Sequence, residues 1–299
     1  MKLIRYLHSR RESYGVQINE NQLLDLFAIS KASNQRLAST LEKLISRGDK
    51  DVETIKHLIQ SLSESMRKKA TINLDRTKVL APVASPGKMM CLARNYREHA
   101  EEQGAQVSAE PVIFMKPRTA IIGPDDSIVK PTFVNELDYE AELAVIIGKR
   151  GRNITVEGAK EHIFGYTCFN DVSARDIQFK DKQYTRGKSF DTFAPMGPSI
   201  TTRDQIDDPN NLWIKTKVNG ELRQNSSTGN MVFNVYQLVH ELSRVMTLEP
   251  CDILATGTPA GVGFAMKPKP KFLSPGDIVE ISIQNIGTLR NTVKADSAT

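Results

Sequence analysis

Two carboxylates two residues apart, Glu140 and Glu142, stand inside the run Leu137-Asp138-Tyr139-Glu140-Ala141-Glu142-Leu143-Ala144-Val145-Ile146-Ile147-Gly148. Apolar and β-branched residues fill its end, and Gly148 followed by basic residues stops it, which predicts one buried strand. Side chains alternate across a strand, so i and i+2 project from the same face, roughly 6–7 Å apart. Two adjacent anions pointing one way out of an apolar strand repel each other. A hard divalent cation between them is the simplest remedy. Taken alone, the spacing equally describes two solvated glutamates on an edge strand.

A third carboxylate, Asp171, follows the apolar run Gly165-Tyr166-Thr167-Cys168-Phe169, which reads as another strand. At that strand end, meeting Glu140 and Glu142, it would complete an all-oxygen site. Such a site selects Mg²⁺ or Mn²⁺ over zinc, which prefers nitrogen and sulfur. Asp171 also fits a turn aspartate, and Asp176 a partner for Arg175. His99 and Glu102 are three apart, neighbours on a helical turn. Glu102 can therefore orient His99 and raise its basicity, giving a base for water near neutral pH. A solvated surface pair has the same spacing. Lys188, beside Gly187, can stabilise a developing enolate, or be a solvated loop lysine. The loop Thr256-Gly257-Thr258-Pro259-Ala260-Gly261 can hold a carboxylate through hydroxyls and N–H groups, and a plain tight turn uses the same residues. No Walker A loop, no G-x-G-x-x-G and no G-x-S-x-G is present, which argues against a P-loop NTPase, a Rossmann dehydrogenase and a serine hydrolase.

The elements that must position these residues fall into two groups. Residues 1–80 read as a small N-terminal α/β domain. It has short strands at 2–7 and 14–17, an apolar stretch at 23–26, and two amphipathic helices. Leu37, Leu41, Leu44 and Ile45 mark the first, and Val52, Ile55, Leu58, Ile59 and Leu62 the second. Pro82, Pro86 and Gly87 punctuate the change to a second texture, and residues 81–299 alternate short strands with Gly/Pro loops. Strands are clearest at 112–114, 143–147, 212–218 and 278–283, with Asn219-Gly220 as a hairpin turn. One helix, striped by Val232, Val235, Leu238, Val239, Leu242, Val245 and Met246, interrupts them, with His240 at the core edge. The expected class is a β-rich α+β fold.

Composition bounds the partners. At 299 residues with 39% hydrophobic and 25% charged residues, the chain has room for one large domain plus a small one. The charge of +5 is mild, basic residues are scattered, and aromatics are only 6%, so nucleic acid is not expected as a partner. A small anionic substrate suits the balance better. Cys91, Cys168 and Cys251 lie far apart, which describes neither a disulfide framework nor a zinc site and points to a reduced, cytoplasmic setting. No signal-peptide h-region or membrane-length apolar run is seen, so no membrane partner is expected.

In their order along the chain these pieces resemble the fumarylacetoacetate hydrolase superfamily, in its acylpyruvase and 2-oxo acid hydrolase–decarboxylase branch. The matching segments run from Cys91-Leu92-Ala93-Arg94-Asn95-Tyr96-Arg97-Glu98-His99 through Phe114-Met115-Lys116-Pro117 and the Glu140/Glu142 strand. They continue with Asn170-Asp171-Val172-Ser173-Ala174-Arg175-Asp176, Gly187-Lys188-Ser189-Phe190-Asp191, Asn219-Gly220-Glu221 and Thr256-Gly257-Thr258-Pro259, and close on Gly276-Asp277 and Gly287-Thr288-Leu289-Arg290-Asn291. The resemblance spans about residues 80–293. Each motif alone is weak, and the ordered set is specific.

The resemblance implies a rolled β-sheet domain, usually a homodimer or higher oligomer, acting on 2-oxo or dicarbonyl acids with Mg²⁺ or Mn²⁺. Carried onto matching positions, Glu140, Glu142 and Asp171 would be metal ligands. His99 and Glu102 would be the water-activating dyad, and Lys188 would stabilise negative charge. Thr258 would hold the substrate carboxylate, with Arg94 and Gln178 in the same pocket. The leading expectation is a hydrolase that cleaves a C–C bond in an acylpyruvate or other dicarbonyl acid through a metal-bound enolate. The second is an oxaloacetate decarboxylase or 2-oxo acid isomerase on the same scaffold. A catalytically silent ligand-binding or regulatory protein is the third, and retention of the carboxylates, His99 and Lys188 argues against it. Two departures stand out. Ala93 replaces a frequent glycine, which would reshape the pocket, and Cys251 replaces a usual turn glycine.

Overall fold

Residues Ala141–Ile147 form a strand in which every side chain is buried, and that fact sets the architecture. Alternation sends Ala141, Leu143, Val145 and Ile147 to one core, and Ala144 and Ile146 to another. Both faces must therefore be covered, which is why the run reads as continuously apolar rather than alternating. The computed structural model describes residues 1–296.

The strand lies within a 12-stranded sheet. It pairs antiparallel with Ile163–Asn170 on one side and Ile253–Ala255 on the other. Ile253–Ala255 continues, in parallel, to Met89–Ala93. In the opposite direction the sheet passes through Ala194–Thr202 to Lys2–His8, with Leu3 opposite Ile200. The N-terminal strands are thus hydrogen-bonded into the same sheet as the central strand. One face packs on a 5-stranded sheet containing Trp213–Val218 and Ile278–Ile283, and on the helix Val235–Val245. The other face is covered from the N-terminal segment by Leu41, Leu44 and Ile45 of the helix Leu41–Arg47 and by Ile55 of Asp49–Ser61. Burying each such side chain contributes roughly 1.5–3 kcal/mol.

Local chemistry accounts for the boundaries. Asn219 and Gly220 both adopt positive φ, 52° and 80°, as a two-residue hairpin turn requires. The helix expected to include Val232 starts later, because Asn234 caps it. The Asn234 carboxamide oxygen accepts from the N–H of Tyr236 and Gln237, and the Gln237 side chain accepts from the N–H of Asn234. Val232 is left free to donate its N–H to Asn95 O at 2.7 Å. Cys251 sits at φ 72°, the left-handed region where glycine is at ease, so its substitution falls on a turn. In the N-terminal segment, the short helices Leu26–Ser33 and Glu64–Ala70 were not anticipated from the pattern.

The expected strand over 137–148 is broken in two. Leu137–Asp138 pairs with Ser173–Ala174 in a separate ribbon, and the main strand begins at Ala141. Between them, three successive N–H groups go to side chains instead of a ladder. Tyr139 N–H donates to Asp138 Oδ1, Glu140 N–H to Asn170 Oδ1, and Ala141 N–H to Gln224 Oε1. Periodicity cannot show this, because the interrupted residues are as buried as the strand itself.

Candidate active site

The break places the first carboxylate. Ala141 pairs with Asn170, so the next positions, Glu140 and Asp171, face each other, and Asp171 N–H donates to Glu140 O at 3.0 Å. Glu142 lies two residues further on. Oxygen atoms from Glu140, Glu142 and Asp171 all lie within 4.8 Å of one another, and all three residues are buried.

Their surroundings differ. Lys188, in the short helix Thr185–Lys188, reaches Glu140 Oε2 at 2.8 Å and Asp171 Oδ2 at 2.7 Å. Lys116 donates to the other oxygen of Asp171 and to Val172 O. Arg175, fully buried, extends one nitrogen to Glu140 Oε1 at 2.7 Å and another to Asp138 Oδ2 at 2.9 Å. Burial opposes ionisation of Glu140, but Lys188 and Arg175 outweigh it and hold the carboxyl below its usual range. Burial likewise opposes the charge on Lys188, and Asp171 and Glu140 overcome it and raise its pKa. Glu142 has no such cation. Burial, then Asp171 and Glu140, push its pKa well up. One oxygen accepts from Gly257 N–H at 2.9 Å, and the other is buried without a hydrogen-bond partner.

That orphaned oxygen tests the fit of a cation. A buried carboxylate facing two others is strongly disfavoured unless a positive charge joins it. A hard divalent cation among three all-oxygen donors supplies that charge. Glu140, Glu142 and Asp171 fit a hard divalent cation.

The acid–base pair approaches from another element. The helix Arg97–Glu102 carries His99, buried, whose Nδ1 lies 2.7 Å from Glu102 Oε1. The carboxylate accepts, so Nδ1 carries a proton, and the neutral form of the ring has its lone pair on Nε2. The Gln103 carboxamide donates to that Nε2 at 2.5 Å. Glu102 is itself fixed, its second oxygen accepting from Gly261 N–H at 3.0 Å.

Arg94, His99, Glu140, Gln178, Lys188 and Thr258 line one tight pocket, with open volume of about 10 Å³. Glu142 and Asp171 join it through Glu140, and Glu102 through His99. All nine residues picked from the sequence therefore converge, although they come from six separate segments of chain.

The model of the fumarylacetoacetate (FAA) hydrolase C-terminal family matches residues 88–294. The chain belongs to the fumarylacetoacetate hydrolase family. It is 40% identical to a protein of Xenopus laevis named oxaloacetate tautomerase fahd2, mitochondrial, over 98% of this chain and 90% of that one. It is also 40% identical to the oxaloacetate tautomerase YisK of Bacillus subtilis, over 93% of this chain and 95% of that one. Among solved structures, the fumarylacetoacetate hydrolase of psychrophilic Exiguobacterium antarcticum is 39% identical and superposes with TM-score 0.82, covering 99% of this chain and 100% of that chain.

Several residues of this fumarylacetoacetate hydrolase family member escaped sequence reasoning. The sequence offers Asp176 as one partner for Arg175, whereas Asp176 accepts from Asn135 N–H and Arg175 turns inward to Asp138 and Glu140. Lys116 lay in a matching segment, with no spacing to link it to Asp171. Gln103 and Gln224 gave no signal, because a glutamine is ordinary until its neighbours in space are known. No helix among the described residues is long and apolar enough to cross a membrane.

Proposed function

We propose that this enzyme interconverts the keto and enol forms of a small 2-oxo acid, oxaloacetate foremost, using Mg²⁺ or Mn²⁺ at Glu140, Glu142 and Asp171. The observation that carries the reading is the pairing of His99 Nδ1 with Glu102 Oε1 at 2.7 Å, on a histidine that lines the same pocket as Glu140 and Lys188. Tautomerisation moves one proton between a carbon and the neighbouring oxygen, so one well-oriented base suffices. The names of the Xenopus and Bacillus relatives support it, since their likeness runs through nearly the whole chain.

The chain's own groups divide the work. Thr258 accepts a hydrogen bond from Gln224 at 2.8 Å, leaving its own hydroxyl proton for the substrate carboxylate. His99 Nε2 takes the proton from C3, and Glu102 stabilises the resulting imidazolium. The electron pair moves to the C2 oxygen, and Lys188 adds positive charge beside it. A proton returned to that oxygen gives the enol: one C–H bond breaks, one O–H bond forms, and nothing else is consumed. A bound divalent cation supplies Lewis acidity that makes the C3 proton easier to remove.

A second reading, hydrolytic C–C cleavage of an acylpyruvate, is favoured by the same His99–Glu102 pair, which can equally activate water. Following the enol absorbance of oxaloacetate, with a coupled assay for pyruvate, separates the two. With Mg²⁺, the enol signal should relax faster than in buffer, without pyruvate release, and EDTA should remove the effect. If acylpyruvates yield pyruvate while oxaloacetate relaxes at the buffer rate, the hydrolytic reading replaces this one.

A further inference from the structure

We propose that Tyr184 is a specificity-determining wall of the pocket, its ring limiting how far the carbon chain of a bound acid extends beyond the reacting centre. The inference rests on the 2-oxo acid reading above and adds to it the residue that sets the length limit.

The pocket is tight, with open volume of about 10 Å³, so its walls decide what enters. Its polar lining is tied down: Arg175 to Asp138 and Glu140, Lys188 to Glu140 and Asp171, and His99 to Glu102. Its apolar lining is Leu92, Ala93, Phe114 and Tyr184. Substrate carbons that run on past the polar groups meet these four side chains.

Two of the four form a stack. The Phe114 and Tyr184 ring centroids are 5.3 Å apart, with the planes inclined by 25°. Lys188 Nζ lies 5.1 Å from the centroid of the Phe114 ring. The stack therefore begins beside the ammonium that reaches Glu140 and Asp171. A chain that leaves this ammonium on the apolar side meets the two rings first.

The rings differ in freedom. Phe114 lies on the strand Val112–Met115, opposite Cys91 of Met89–Ala93, and is buried in the core. Tyr184 lies in the short connection between the helices Arg175–Asp181 and Thr185–Lys188 and is only partly buried against that core. Arg186 bonds to Asp181 and Thr185 N–H to Gln183 Oε1 across this connection, and among the described residues no such bond holds the Tyr184 hydroxyl. Of the pair, Tyr184 is the ring that can yield. An acid whose chain ends before the stack leaves it closed. A longer acid must part Tyr184 from Phe114, so added methylenes disrupt a contact instead of filling a site.

The test is calorimetric binding of straight-chain 2-oxo acids to the Mg²⁺-loaded protein, from pyruvate through 2-oxobutyrate and 2-oxopentanoate to 2-oxohexanoate. These probes carry one carboxylate each and differ only in their methylenes. Wild type should bind 2-oxohexanoate at least about tenfold more weakly than pyruvate, a ratio within reach of an apolar pocket reading chain length. Tyr184→Ala should abolish that difference with little change for pyruvate. Tyr184→Phe, which keeps the stack, should keep the wild-type ranking, and Tyr184→Leu should fall between the two. No loss of affinity with length in wild type overturns the wall, as does the same loss in Tyr184→Ala or Tyr184→Leu as in wild type. Either result leaves the 2-oxo acid reading standing, whereas a wild type that binds none of the acids removes both. A Tyr184-dependent length limit in a protein that does not accelerate enol relaxation keeps the wall and removes only the tautomerase reading.

Discussion

The Gln224 carboxamide joins the strand bearing the carboxylates to the hydroxyl of Thr258. Its nitrogen donates to Thr258 Oγ1 at 2.8 Å and to Pro259 O at 2.8 Å, and its oxygen accepts from Ala141 N–H and Thr216 Oγ1. All four capacities are used, so the amide has one orientation and Thr258 can only be the acceptor. Gln224→Met keeps the volume and removes every bond. Three of the four partners then lie buried without a substitute, at about 1–3 kcal/mol each where no water reaches them. We expect the midpoint of thermal unfolding to fall by several degrees. We also expect KM for oxaloacetate to rise more than kcat falls. Thr258→Val, which spares the Ala141 and Thr216 bonds, should raise KM with a smaller loss of stability.

Glu142→Gln should separate metal affinity from stability. The buried oxygen without a partner and the raised pKa mark Glu142 as the carboxylate whose charge the protein does not balance. A neutral amide removes that electrostatic conflict and keeps an oxygen for Gly257 N–H. In EDTA, the variant should melt no lower than wild type. In Mg²⁺, wild type should gain stability by mass action, about 2.7 kcal/mol at a hundredfold excess over Kd, and the variant should lose most of that gain. Paired melting curves with and without Mg²⁺ decide it. An equal Mg²⁺ shift in both proteins would remove Glu142 from the metal site.

Much of the site was legible because its parts are local. The Glu140/Glu142 spacing, the His99/Glu102 helical pair and the run ending at Asp171 each follow from a short-range period. The antiparallel register that sets Glu140 opposite Asp171 is a longer consequence of two recognisable strands. What was not legible is bonding between distant segments. The strand stops at Ala141 because Asp138, Asn170 and Gln224 take its N–H groups, and only the first of these is adjacent in sequence. Residues 1–80 were readable as two helices and short strands. Their pairing through Leu3 and Ile200 into the main sheet was not, since a strand's own residues carry no mark of which distant strand they will pair with.

Asp138 is the buried anchor behind this arrangement. It accepts from Arg175 Nε and from the N–H groups of Gly263 and Phe264, and Arg175 in turn holds Glu140 and Gln178. Asp138→Ala leaves the Arg175 guanidinium without one of its two carboxylates and strands three N–H donors, those of Tyr139, Gly263 and Phe264. Removing one partner of a buried pair costs about 3–5 kcal/mol. Chemical denaturation should show a loss of that order. Asp138→Asn, which still accepts from the loop, should lose less. Arg175→Lys should resemble the alanine variant more than its charge suggests, because one ammonium cannot span Asp138, Glu140 and Gln178.

The last expectation concerns the His99–Glu102 pair. With Nδ1 committed to Glu102 at 2.7 Å, the imidazole is held in the tautomer that offers Nε2 to the pocket. Glu102→Gln can satisfy the same geometry in two ways. If its oxygen faces Nδ1, the tautomer survives without the charge that stabilises the imidazolium. If its nitrogen does, the proton moves to Nε2 and the base is lost. Either outcome lowers kcat, and His99→Asn should lower it further, by roughly 10²–10⁴ as for other general bases. Neither variant touches Glu140, Glu142 or Asp171, so the Mg²⁺-induced rise in melting temperature should persist in both. Enol-relaxation kinetics beside melting curves would show it. Loss of the Mg²⁺ shift along with the rate would place His99 in holding the metal rather than in moving the proton.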